Sequence, residues 1–243
     1  LGVSGGIAAY KSCTLVREFV KRGANVDVVM TANATQFVTP LTMETLSNNP
    51  VSVDMFATHD HRDVEHVSLA KKADLFVVAP ATANVVGKYA NGIADDMLTT
   101  TLMATTAPVV ICPAMNVNMY NSAAYRANVA TLKKRGVYFV DAESGFLACG
   151  DVGQGRLAEP KEIVVSCERI LCQNKQLAGK RVLVTCGATY EKLDDARMIT
   201  NFSSGKMGAA VVKEALNRGA EVTVVLARHE AEIDGRATIV NVG

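Results

Sequence analysis

Cys149 stands in a glycine-rich stretch, Gly145-Phe146-Leu147-Ala148-Cys149-Gly150-Asp151-Val152-Gly153-Gln154-Gly155-Arg156. A loop cysteine can reach into a site and withdraw, giving up a proton or acting as a thiolate. An ordinary loop with a chance cysteine reads the same way. His66, in Val64-Glu65-His66-Val67-Ser68-Leu69, carries a side chain suited to proton transfer near neutral pH. In Pro113-Ala114-Met115-Asn116-Val117-Asn118-Met119-Tyr120, Asn116 offers amide donors to a carboxylate. The two methionines there can lie against a flat aromatic ligand through their thioethers. A helix N-cap with core methionines is the plainer account of the same spacing.

Two further segments follow apolar runs. In Gly2-Val3-Ser4-Gly5-Gly6-Ile7-Ala8-Ala9-Tyr10-Lys11 small residues turn a strand into a helix. Amides at such a helix start face an anion, usually a phosphate; a bare turn with no ligand fits equally. The segment is not G-x-G-x-x-G, so the dinucleotide fingerprint fails. In Ala79-Pro80-Ala81-Thr82-Ala83-Asn84, Thr82 can cap the next helix and also contact a phosphate, and capping alone is the commoner role.

The remaining composition mostly excludes. Net charge is +1, which points neither to nucleic acid nor to an acidic membrane surface. No apolar run approaches the roughly 20 residues that span a bilayer. Six cysteines form no C-x-x-C pair, so neither structural zinc nor a disulfide framework is expected, and no metal site is assigned. His59 and His61 read as a surface pair without a third ligand, and His229 has no motif around it.

These residues need a scaffold. Near-continuous apolar strands at 74–79 and 108–112 and shorter ones at 1–3, 25–30 and 137–140 alternate with helical stretches at 7–22, 81–89, 95–105 and 122–135. That alternation predicts a parallel sheet covered by helices on both faces. From 141 to 159 the pattern stops, and a helix follows at 160–171. After a polar linker at 173–179, strands at 180–185 and 221–226 flank a helix at 205–217, too little for a complete α/β domain. Leu1-Gly2-Val3 and the strand-like 237–243 read as clipped ends of a fragment.

Together the motifs resemble the phosphopantothenoylcysteine decarboxylase family of flavin-containing cysteine decarboxylases, with the match running from Gly2 to about Pro160. Pro113-Ala114-Met115-Asn116 and Ala148-Cys149-Gly150-Asp151 are its specific pieces. Beyond the linker, Thr185-Cys186-Gly187-Ala188-Thr189 and Arg197-Met198-Ile199-Thr200-Asn201-Phe202-Ser203-Ser204-Gly205-Lys206-Met207-Gly208 resemble the start of phosphopantothenate–cysteine ligase. The resemblance implies a flavodoxin-like/Rossmann-like decarboxylase domain at 1–172, a linker at 173–179 and the start of a second α/β nucleotide-binding domain at 180–243. It implies FMN as cofactor, held by Ser4, Gly5, Gly6, Ile7, Thr31, Thr82, Ala83, Asn84, Ala114 and Met115. Catalysis would fall to His66, Asn116 and Cys149. By resemblance, FMN would supply the reversible oxidation of the substrate's cysteine moiety that lets CO₂ leave, and Cys149 would supply the proton that completes the thiol product. In the ligase part Gly187, Arg197 and Asn201 would serve CTP and Mg²⁺ chemistry, expected only in a full-length chain. Family members form trimers with flavin sites at subunit contacts, and the fused enzymes form dodecamers, in the cytoplasm, without nucleic-acid or membrane partners.

Overall fold

The computed structural model describes residues 1–56, 64–146, 152–171 and 176–242. The chain separates into two compact units, Leu1–Glu168 and Arg169–Gly243. In the first, the elements run β1 (Gly2–Val3), α1 (Ala9–Lys21), β2 (Val28–Met30), α2 (Pro40–Ser47), β3 (Val51–Ser52), α3 (Glu65–Lys72), β4 (Phe76–Ala81), α4 (Ala83–Ala90), α5 (Met97–Ala104), β5 (Val109–Pro113), α6 (Val117–Asn121), α7 (Ala123–Lys134), β6 (Tyr138–Phe139), β7 (Glu143–Phe146), β8 (Val152–Arg156) and α8 (Pro160–Leu171).

Among the described residues, six strands form one sheet in the order β3-β2-β1-β4-β5-β6, and the pairings are all parallel. This is a doubly wound order, and it reverses direction between β1 and β4. Every residue of β4 and β5 is buried, as their continuous apolar character predicts for strands covered on both faces. One core cluster packs Val78, Leu98, Ile111 and Leu132 between sheet and helices. Another gathers Val3, Val16, Met30 and Met43 around β1, β2, α1 and α2.

The stretch 141–159, expected to be irregular, instead contains an antiparallel pair, β7 with β8. The physical reason lies in its glycines. A Cβ on Gly153 would come 2.7 Å from Val117 Cγ2, and one on Gly155 would come 2.3 Å from the Met115 carbonyl oxygen. Residues two apart share a strand face, so both glycines let β8 lie directly against the Met115–Asn116 turn and α6. The helix over Pro40–Ser47 also went unpredicted, although Thr39 caps it and proline opens it.

The second unit builds β9 (Arg181–Cys186), a hairpin of β10 (Tyr190–Lys192) and β11 (Met198–Thr200), α9 (Lys206–Asn217), β12 (Glu221–Leu226) and β13 (Thr238–Asn241). Its parallel sheet has the order β13-β12-β9. Val184, Val212, Val222 and Val224 form its core. Among the described residues no helix is long and apolar enough to cross a membrane, and no group of three or more His, Cys, Asp or Glu could hold a metal ion.

Candidate functional site

A cavity of about 570 Å³ opens at the carboxyl ends of β1, β4 and β5. This is where open α/β sheets bind ligands, beside the point at which the strand order reverses. Its walls come from four segments far apart in the chain: Gly5 to Lys11, Thr82 and Ala83, Ala114 to Asn116 with Met119, and Gly155 to Leu157.

A lateral belt of hydrogen bonds ties these walls together. Ser4 N–H donates to Pro80 O at 3.2 Å, and Ser4 Oγ donates to the same oxygen at 2.8 Å while accepting from Thr82 N–H at 2.9 Å. Ala114 N–H donates to Ala81 O at 3.0 Å, and Met115 N–H to Gly155 O at 3.0 Å.

The first wall is the turn into α1. Gly5 is demanded by close approach: a Cβ there would lie 2.4 Å from Asn33 Cβ and 2.8 Å from the Asn33 carbonyl carbon. Helix α1 begins without a side-chain cap and without an acidic residue in its first turn. Its positive dipole end therefore has no protein anion in that first turn. The second wall is the start of α4, where Thr82 Oγ1 caps by accepting from Val85 N–H at 3.5 Å. The third centres on Asn116, the N-cap of α6, whose Oδ1 accepts from Asn118 N–H at 2.8 Å. That bond sets the amide plane, placing the Nδ2 donor on the opposite branch.

Lys11 and Arg156 also line the cavity and share one carboxylate: Glu159 Oε1 lies 2.9 Å from Lys11 Nζ and 2.5 Å from Arg156 Nη2. The Lys11 hydrogen bond, above all, holds the Glu159 carboxyl below the usual carboxylate range. Burial pushes the thiols of Cys13 and Cys112 up and that of Cys167 up to about 12, so none of these is a thiolate at neutral pH.

Of the residues predicted from sequence, Gly5, Gly6, Ile7, Thr82, Ala83, Ala114, Met115 and Asn116 are brought together in this one lining. Ser4, Thr31 and Asn84 are not part of it. Ser4 is buried behind the turn, and Thr31 Oγ1 accepts from Ala34 N–H at 3.2 Å. Asn84 is exposed on the first turn of α4. His66 is half-buried in the first turn of α3, outside the lining, where its neighbour Glu65 accepts a hydrogen bond from Ser52 Oγ. Cys149 lies outside the described residues. Sequence reasoning missed Gly155, Arg156 and Leu157 as a wall. The spacing Gly153-Gln154-Gly155 was the available signal, since strand glycines mark close backbone approach.

In the second unit, Gly187 has φ +103° and a Cβ there would lie 2.6 Å from Arg228 O. Arg197 pairs with Asp194 at 2.6 Å beside β11, and Asn201 is exposed.

Residues 1–171 match the flavoprotein family, and residues 177–243 match the DNA/pantothenate metabolism flavoprotein C-terminal domain. The chain belongs to the flavoprotein family. The coenzyme A biosynthesis bifunctional protein CoaBC of Bacillus subtilis is 50% identical to this flavoprotein over 227 residues, 93% of this chain and 56% of that protein. The chain therefore spans about half the length of the curated relatives it matches. A mutant PPC decarboxylase complexed with pantothenoylaminoethenethiol is 30% identical, with a TM-score of 0.62 over 68% of this chain and 93% of that one. The FMN-dependent cysteine decarboxylase SpaF is similar at 30% identity and TM-score 0.62 over 71% and 93%. The cavity of this flavoprotein fits a flavin: Ala83, Ala114 and Gly6 leave room, Ile7, Met115 and Met119 present apolar surface, and α1 offers an anion its uncapped N-terminus.

Proposed function

We propose that this flavoprotein decarboxylates 4′-phosphopantothenoylcysteine to 4′-phosphopantetheine with FMN, in coenzyme A biosynthesis in the cytoplasm. The observation that carries the reading is the single cavity uniting the Gly5–Gly6–Ile7 turn, Thr82, Met115 and Asn116. Bound FMN would supply reversible two-electron chemistry that an aliphatic carboxylate needs before CO₂ can leave. The chain's own groups bind and orient. The turn into α1 and the Thr82–Ala83–Asn84 segment would cradle the flavin and its phosphate, Met115 and Met119 would lie near the ring, and Asn116 Nδ2 would donate to the substrate carboxylate. Cys149 donates the proton that completes the product. Residues 1–172 form this domain, 173–179 a linker, and 180–243 the beginning of a ligase domain. There Gly187, Arg197 and Asn201 serve the CTP- and Mg²⁺-dependent joining of cysteine to 4′-phosphopantothenate in the longer protein.

The test is direct. Protein purified with FMN and given 4′-phosphopantothenoylcysteine should convert it to a thiol lighter by one CO₂, read by mass spectrometry. Cys149→Ser should still release CO₂ but accumulate a product two hydrogens lighter than that thiol. Normal thiol alone from this variant would remove the proton-donor role.

His66 sits outside the cavity of its own chain, while Ile7, Tyr10 and Met119 leave 60%, 60% and 49% of their surface exposed at its rim. Both facts support contact between copies at the cavity rim; the homo-trimer, and the dodecamer of the fused protein, are what the family resemblance implies, with His66 of one copy serving the cavity of the next. His66→Asn and Asn116→Asp should each be inactive alone. Co-expressed in equal amounts they should regain about a quarter of the wild-type rate, because that fraction of sites draws both groups from intact copies. No recovery above the parents would rule out sharing between copies.

A further inference from the structure

We propose that Ser4 is a positioning residue, whose hydroxyl sets the spacing between the two cavity walls that grip the flavin, without touching the flavin itself. The inference rests on the flavin reading of the cavity. Ser4 is 1% exposed and absent from the cavity lining, yet Gly5 and Gly6 on one side and Thr82 and Ala83 on the other follow directly from the atoms it joins. Its Oγ donates to Pro80 O at 2.8 Å and accepts from Thr82 N–H at 2.9 Å, so donor and acceptor are both engaged.

The site of this bridge matters. Strands β1 and β4 pair at Gly2 with Val78, at the place where the sheet order reverses. Beyond it the chains diverge, β1 into α1 and β4 into α4. The other belt links, Ala114 to Ala81 and Met115 to Gly155, are made by backbone alone. At Ser4 two of the three bonds need a side chain that both gives and takes a hydrogen bond. Alanine keeps nearly all the volume but leaves the part-buried Thr82 amide without this acceptor, which costs free energy unless the walls shift.

Ser4→Ala should therefore weaken binding of FMN, on the order of ten-fold, and of riboflavin as well, in fluorescence-quenching titrations of the full chain. A loss for riboflavin too separates positioning from phosphate contact, because riboflavin lacks the phosphate. A loss for FMN alone would make Ser4 a phosphate ligand and overturn the proposal, as would unchanged affinity for both flavins with only a lowered Tm. Wild-type protein that binds neither flavin would sink the flavin reading instead. The bridge itself is read on the wild-type protein without flavin, by hydrogen exchange at the Thr82 amide. Protection there is expected, and exchange at the unfolded rate would overturn the proposal even if the variant did not fold.

Discussion

Gly155→Ala should cost the protein about 1–3 kcal/mol of stability and lower turnover by roughly 100-fold. The added Cβ would lie 2.3 Å from the Met115 carbonyl oxygen and 3.4 Å from its carbon, and Gly155 has φ +154°. Both obstacles are backbone atoms, so no rotamer change relieves them. Either β8 lifts away, breaking the bond from Met115 N–H to Gly155 O, or the turn carrying Asn116 moves toward the cavity. A displacement near 1 Å at Asn116, in the carboxylate-orienting role proposed for it, is enough for the stated loss of rate. Gly23→Ala is the control. Gly23 has φ +82° and no atom within 4 Å of its virtual Cβ, so it incurs only backbone strain. Urea melts of both variants beside their turnover numbers decide the matter. If Gly155→Ala matched Gly23→Ala in rate, the hairpin would not be what sets Asn116.

Asn116→Asp should lower turnover by at least about 100-fold while the protein keeps its fold and its bound flavin. The two halves of this expectation come from two branches of one side chain. Asn116 Oδ1 caps α6 by accepting from Asn118 N–H at 2.8 Å, and aspartate caps as well as asparagine. On the other branch a donor becomes an anionic acceptor, which in the proposed pose would face the substrate's own carboxylate. Asn116→Ala would confuse the two effects by removing the cap. A thermal melt, a flavin spectrum and a rate on the aspartate variant separate them, and a near-normal rate would free Asn116 of its assigned role.

How much of this could be read before the fold was seen follows from the range of the forces involved. Strands β4 and β5 declared themselves because every residue is buried, and burial on both faces leaves an unbroken apolar run. The turns after β1, β4 and β5 were legible for a related reason: small residues and caps have to stand where strands end in helices. Helix α3 escaped because its eight residues leave only Ala70 fully buried, so no strong apolar stripe marks it. The β7–β8 pair escaped because its glycines read as a break in pattern, when they record contact with a turn about forty residues earlier in the chain. The network at Glu159 was beyond reach altogether. Lys11 meets it across 148 positions of sequence, and no local spacing encodes such a meeting. Ser4 was legible as a member of the turn, but its hydroxyl's partners, 76 and 78 residues away, were not.

The belt joining Ser4, Pro80, Thr82, Ala114, Met115 and Gly155 also fixes when the cavity can exist. Its last link comes from β8, so a ribosome must have released the chain past Arg156 before the fourth wall can close. Until then the growing chain presents an incomplete cleft, and flavin can join only as a late ligand. A ligand that recognises the closed state alone stabilises it by about 2.7 kcal/mol when present at 100 times its Kd. Flavin occupancy would thereby set the stability of the finished first unit as well as its activity.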